Sequence, residues 1–351
     1  VRKPAQDCQG DIDGSNDSWN GMLPIIGDYK DIPDFIYGIT REIWEDRGVG
    51  GKLDRYYGPT CLVRAATGLA ADNKDVTAQT MATLHQFPDR QLVGEDVIWT
   101  AYEDGSFLSS HRLISVMRHT GDGSYGKATG RLLKTRIIAD CWVVNQVVTE
   151  EWLVRDQAAF ARCLGKEPRE LALEMAENDL RTRGHVVFFT PEQDKPGVYR
   201  PEIQQGPEVD IYADGYRRIW GDKELEAIKR LYFHGAAVEA PCGESFHGHS
   251  DIDRFYLGYL AAFPDASFTL ESAIINREPG RAVRIALRWS VRGTHTGFGS
   301  FGPPSGAPVY ILGLSHAHIV DERVRQEWIA IDEVVIWKQI IAHQRGAAVS
   351  I

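Results

Sequence analysis

His119-Thr120-Gly121-Asp122-Gly123-Ser124-Tyr125-Gly126 returns 176 residues later as His295-Thr296-Gly297-Phe298-Gly299-Ser300-Phe301-Gly302. The same offset relates Ile43-Trp44 to Ile219-Trp220 and Phe87-Pro88-Asp89 to Phe263-Pro264-Asp265. It also relates Glu151-Trp152 with Asp156 to Glu327-Trp328 with Asp332. Four signatures in one ungapped register identify a tandem duplication. The period is far longer than that of solenoid repeats, so each copy is expected to be a complete domain with its own core.

Working outward from the repeat, residues 1–30 read as a polar arm, 31–165 as the first domain, 166–210 as a linker and 211–345 as the second domain. In the first copy, apolar residues Phe35, Ile39, Ile43 and Trp44 form a helical stripe, and residues 75–86 form a further helix. Alternating patterns over 93–102, 107–119, 128–139 and 141–154 then predict long strands. A helix over 155–164 ends at Gly165. The linker predicts a helix over 169–183, a short strand or extended segment over 185–190, and an extended proline-rich run to 210. The second copy repeats the order, with Ser250 as the predicted cap of a helix ending at Phe263, strands over 267–277, 282–293, 309–320 and 323–332, and a final helix over 333–343. Helices followed by a run of antiparallel strands define an α+β domain, and three helices on one curved sheet enclose a cone whose mouth is the natural ligand site.

Composition narrows the function classes. A net charge of −10 argues against nucleic acid and against an anionic membrane surface as partners. No apolar run is long enough for a transmembrane helix. Residues 1–10 lack the apolar core of a signal peptide. The five cysteines are an odd number without a C-x-x-C pair, which favours a reducing compartment over a disulfide framework or a zinc site. A cytoplasmic location is the expectation.

The segment from Arg288-Trp289-Ser290 through His295-Thr296-Gly297, with Pro303-Pro304-Ser305-Gly306, Glu327-Trp328-x-x-x-Asp332 and the Phe-Pro-Asp triplet, resembles SnoaL-like polyketide cyclases. The resemblance covers nearly all of 211–341. It extends more weakly over 31–165, which lacks the Pro-Pro-Ser-Gly turn and the Arg-Trp strand start. It implies the cone-shaped nuclear transport factor 2-like fold in two copies, pairing through the outer sheet faces, so that one chain is a pseudo-dimer and could pair again as a homodimer. It also implies an aspartate after the Glu-Trp strand acting as acid and base, which points here to Asp332 and Asp156. Fold alone leaves the reaction open, because this fold hosts isomerases, dehydratases, hydrolases, cyclases and non-enzymes.

The residues themselves give a matching set of candidates. Asp332 lies four residues after Trp328, on the same strand face. If that face is concave, burial beside an indole raises the carboxyl pKa toward neutrality; the bland alternative is that Asp332 caps the final helix. Asp156 and Trp152 repeat the argument. Asp140 and Trp142 in the first copy correspond to His316 and His318 in the second, giving one copy two carboxylates and the other a carboxylate with two imidazoles. Arg112 and Arg288 also correspond, and could pin an anionic substrate group or pair within the sheet. His119 and His295 sit at the glycine turns, as pocket-rim or structural residues. The expected catalytic set is therefore Asp332, His316, His318, Asp156 and Asp140. Trp328, Trp152, Trp142, His295, His119, Arg288 and Arg112 are the expected substrate contacts. His247-x-His249 and His316-x-His318 lack a carboxylate at metal-site spacing, so no metal is expected. The function expected is a cofactor-independent acid–base enzyme on a small, partly apolar molecule, of cyclase, isomerase, lyase or hydrolase type, with the second copy as the working pocket. The alternative is a non-catalytic small-molecule-binding or scaffold protein of the same fold.

Overall fold

The computed structural model describes residues 27–349; most of the predicted arm lies outside the described residues. In the first copy, Asp31 caps α1 (Ile32–Thr40), which continues into a π turn, Arg41–Glu45. Then follow α2 (Gly51–Tyr56), β1 (Tyr57–Ala65), β2 (Gly68–Ala70), α3 (Asn73–Gln86), β3 (Gln91–Ala101), β4 (Phe107–Arg118), β5 (Leu132–Val144), β6 (Val147–Arg155) and α4 (Gln157–Leu164). Next comes α5 (Pro168–Arg183). The second copy comprises α6 (Pro207–Tyr216), α7 (Ile228–Leu231), β7 (Tyr232–Glu239), β8 (Ser245–His247), α8 (Gly248–Ala262), β9 (Ser267–Asn276), β10 (Val283–Thr294), β11 (Pro308–Val320), β12 (Arg323–Ile331) and α9 (Glu333–Gln344).

Each copy forms one six-stranded sheet, in the orders β2-β1-β6-β5-β4-β3 and β8-β7-β12-β11-β10-β9. The sheets are mixed, not purely antiparallel: β1 runs parallel to β6, and β7 to β12. Hairpins force neighbouring strands to run antiparallel, but β1 reaches β6 only after the chain has passed through the whole domain, so no hairpin dictates their sense. The break between the third and fourth long strands of the first copy falls at Asn145-Gln146, where both residues take positive φ, and not at residue 140. Ser250 lies inside α8, whose cap position is His247. No strand forms over 185–190; Val186 makes only an isolated bridge to Val349.

Strand alternation decides what each sheet face meets. The faces turned toward the helices build two separate apolar cores, one per copy. The opposite faces pack on each other through a third cluster that includes Ile98, Trp142, Trp152, Leu314, Trp328 and Ala330. The linker is held firmly: Leu171, Ala172 and Ala176 of α5 pack on Val334, Val335 and Ile341 of α9. Lys338 Nζ donates to Asp179 Oδ2 at 2.7 Å and to the Val187 carbonyl at 2.6 Å.

Candidate active site in the first cone

The two cones differ in what fills them. In the second, Tyr212 and Tyr216 from α6, Tyr256 from α8 and Trp289 from β10 are at most 1 % exposed. They converge on Glu327, whose carboxylate accepts hydrogen bonds from the hydroxyls of Tyr212, Tyr216 at 2.7 Å and Tyr232 at 2.6 Å. Trp289 Nε1 donates to Ser315 Oγ at 2.9 Å. The indole fits because the facing residue on β11 is Gly313, where a Cβ would come within 2.3 Å of the ring. Burial raises the Glu327 pKa, against which the three phenols act, so this cone is a closed core around a satisfied carboxyl group.

The repeat register puts Ile36, Thr40, Thr80 and Leu113 where the second copy has Tyr212, Tyr216, Tyr256 and Trp289. Three aromatic rings and an indole are thereby lost, and a cavity of about 160 Å³ opens between α1, α3 and the sheet. Its floor is the helix-facing row of β4, β5 and β6, including His111, Ile137, Glu151 and Leu153.

Glu151 matches Glu327 in the register, but its situation differs. It keeps one phenol, Tyr57, whose hydroxyl donates to Oε2 at 2.9 Å. Two of the three donors found around Glu327 are absent, because Ile36 and Thr40 replace tyrosines. Desolvation raises the Glu151 pKa, opposed by the Tyr57 hydrogen bond and by the Arg155 charge. His111, where the second copy has Leu287, is buried and its pKa is pushed down to about 4 by desolvation, so the imidazole is neutral near pH 7. Its Nδ1 has no hydrogen-bond partner among the described residues. The arrangement thus offers an under-satisfied carboxyl group and a neutral imidazole on one apolar surface, which is equipment for moving a proton.

Apart from Asp156, the expected site residues lie elsewhere. Trp328 and Trp152 point into the sheet-to-sheet interface, because each follows a cone-facing glutamate and adjacent strand residues face opposite ways. His316 is fully buried there. Arg112 Nη1 donates to its Nδ1 at 3.1 Å, so the ring proton sits on Nε2 and faces Ser110 Oγ at 2.8 Å. Arg288 donates to Asp140 Oδ2 at 2.7 Å, across the two copies. His318 packs on Trp328 with ring centroids 4.9 Å apart, and Trp142 stacks near Tyr102 and Tyr199 in the same interface.

Asp156 and Asp332 cap α4 and α9, accepting from the backbone of Ala159 at 2.9 Å and of Val335 at 3.2 Å. Both also tie the copies together. Asp156 accepts from the backbone N–H groups of Cys242 and Gly243, each at 3.0 Å, and Asp332 accepts from Gln157 Nε2 at 2.6 Å. Asp156 reaches the edge of the first cavity, while burial lifts the Asp332 pKa to about 7 inside this contact. The glycine turns hold His119 and His295 against Phe87 and Phe263 rather than at a rim. Gly297 is required because a Cβ there would meet the Ala261 carbonyl at 1.9 Å. Among the described residues no group of His, Cys, Asp and Glu could hold a metal ion.

Glu151 is visible in the sequence as half of the repeated Glu-Trp pair. His111 carried a different signal: it is a polar residue on a strand where its repeat mate is leucine.

A six-stranded mixed sheet wrapped by helices in this order defines the nuclear transport factor 2-like class, and this chain carries two such domains in tandem. Residues 211–340 match the model of the SnoaL-like polyketide cyclase family. No curated protein matches the chain. Among solved structures, a candidate SnoaL-like polyketide cyclase from Jannaschia sp. CCS1 is 16% identical, covers 40% of this chain and 99% of its own, and has a TM-score of 0.33. IdmH from Streptomyces antibioticus, a candidate polyketide cyclase, is 22% identical over 39% of this chain and 99% of its own, with a TM-score of 0.32. A candidate polyketide cyclase from Acidithiobacillus ferrooxidans is 17% identical over 42% and 100%, with a TM-score of 0.35.

Proposed function

We propose that the chain is an acid–base enzyme acting on a small, largely apolar molecule, and that its working pocket is the first cone. One observation carries this reading. The large side chains that plug the second cone are small in the first, and the space they vacate is lined by Glu151 and His111. The domain whose sequence matches the family is then the packed twin, and the more divergent copy does the chemistry.

In this reading Glu151 takes a proton from a carbon beside a substrate carbonyl and returns it at another position, which isomerises the molecule or releases a carbanion for ring closure. Its raised pKa brings the carboxyl group closer to working pH, where it can both accept and give up a proton. Tyr57 fixes one carboxyl oxygen, leaving the other free for the substrate. Neutral His111, on β4 across β5 from Glu151, donates a hydrogen bond to the oxygen that gains charge.

Hydrogen–deuterium exchange at the methylene of phenylacetone, and at the activated carbons of 2-tetralone, tests the reading by proton NMR in D₂O. The unmodified chain should accelerate exchange, and Glu151→Gln, which still accepts from Tyr57, should lower the rate by about 10²–10⁴-fold at an unchanged melting temperature. Exchange in the unmodified chain no faster than in buffer, or undiminished in Glu151→Gln, refutes it.

A further inference from the structure

We propose that the first cone takes an organic carboxylate, seating the anionic group between Arg90 and Arg155 and laying an apolar ring system along the sheet toward Glu151. The inference rests on reading this cone as the ligand pocket.

Four cavity-lining positions at one end of the sheet carry it: Arg90 just before β3, Ser115 on β4, Thr135 on β5 and Arg155 at the end of β6. Strand register places Ser115 opposite Thr135, and Arg155 opposite Ile137, so the four sweep across the same edge of the floor. In the second copy the corresponding residues are Ala266, Val291, Ile311 and Ile331. Each of these four polar residues is aliphatic in the twin, which has the same fold. The fold therefore does not require these side chains.

The arginines are also poorly matched by the protein itself. Arg90 Nε donates to Ser115 Oγ at 3.1 Å, a neutral acceptor. The Arg155 side chain has no hydrogen-bond or ion-pair partner among the described residues. The charge of Glu45 acts on Arg90, and Glu151, which feels the charge of Arg155, is already held by Tyr57. Burial lowers the Arg90 pKa, and the charge of Arg155 lowers it further, so the two cations oppose each other across one cavity. An anion between them relieves that repulsion and supplies the flat pair of acceptors a guanidinium fits. Between this end and Glu151 lies an apolar floor of Leu113, Ile137 and Leu153. Arg155 lies four strand positions beyond Glu151, about 13 Å, enough for a bicyclic body.

The matched pair 2-naphthoate and 2-naphthamide, of nearly equal shape, separates charge from fit by isothermal titration calorimetry. The naphthoate should bind the unmodified chain at least about 10-fold more tightly, and Arg155→Leu or Arg90→Leu should each weaken it by about 10- to 100-fold while leaving the amide unchanged. The double variant Thr40→Tyr/Thr80→Tyr, which restores two of the second copy's rings, should abolish binding of both. Equal affinity for acid and amide, or an arginine variant that weakens both alike at unchanged melting temperature, overturns the anion seat and leaves the pocket reading standing. Binding that persists in the double tyrosine variant, or no binding of either compound to the unmodified chain, overturns both.

Discussion

The guanidinium carbon of Arg112 lies 3.6 Å from the ring centre of Trp328 in the other domain, and its repeat mate Arg288 lies 3.8 Å from the ring centre of Trp152. Residue i of one copy meets residue j of the other and j meets i, the reciprocity a two-fold axis demands. The duplicated chain thus contains internally the isologous contact that two separate domains would form. At its centre the symmetry breaks chemically, because Arg288 faces the carboxylate of Asp140 and Arg112 faces the neutral imidazole of His316.

That asymmetry predicts unequal responses to the same substitution. Asp140 is buried, and its pKa is raised by desolvation even with Arg288 beside it. Arg288→Met leaves this carboxyl group unpaired and should cost about 3–5 kcal/mol of unfolding free energy, most of it recovered by adding Asp140→Leu. Arg112→Met leaves a neutral ring and a Glu95 that keeps Arg136 as partner, so its cost should be smaller. Urea unfolding of the four chains measures all of this; equal losses for the two arginine variants contradict it.

Exchanging the contents of the two cones should move stability and binding in opposite directions. Thr40→Tyr in the first cone brings a phenol toward Glu151, as Tyr216 reaches Glu327. It should stabilise the chain by about 0.5–2 kcal/mol while abolishing ligand binding. Tyr216→Thr in the second cone removes a buried ring and one of three donors to Glu327, and should cost about 3–5 kcal/mol. A destabilised Thr40→Tyr chain would show that the first cavity is not space of the shape its twin fills.

Glu333 sits in the contact between the copies and accepts from the Tyr259 hydroxyl at 2.6 Å. Burial raises its pKa from the ordinary 4.5 to about 7. The folded chain then binds a proton here that the unfolded chain has released, so this group loses stability as pH rises from about 4.5 through 7. Glu333→Gln keeps the hydrogen bond without the charge. Its advantage over the unmodified chain should be near zero at pH 4.5 and grow to as much as about 3 kcal/mol above pH 8. Denaturation across that range decides it, and an advantage that shrinks with rising pH has the wrong sign.

Asp332 caps α9 and accepts from Gln157 across the domain contact. Asp332→Ala should therefore lower stability by about 1–3 kcal/mol while phenylacetone exchange stays within about threefold of the unmodified rate. A hundredfold loss of exchange in a chain that remains folded would restore Asp332 to the chemistry.

The duplication, the α+β class, the long strands and the terminal helices were legible in the sequence because they are local: a repeat register, a period of two or of 3.6, and a glycine where a turn closes. Glu-Trp was legible as a mark of the repeat, and so was the contrast between the two copies at most positions. What local pattern could not supply was the sign of the sheet face. Alternation places Glu151 and Trp152 on opposite sides, but only the packing of the second sheet against Trp152 makes the glutamate side the concave one. The same packing turned Asp140, His316 and Arg288 from a site into an interface. Which cone stays open was likewise a tertiary decision. Thr40 and Tyr216 are each unremarkable in a helix, and become a vacancy and a plug only where α1 and α6 lean over a carboxyl group carried from more than a hundred residues away.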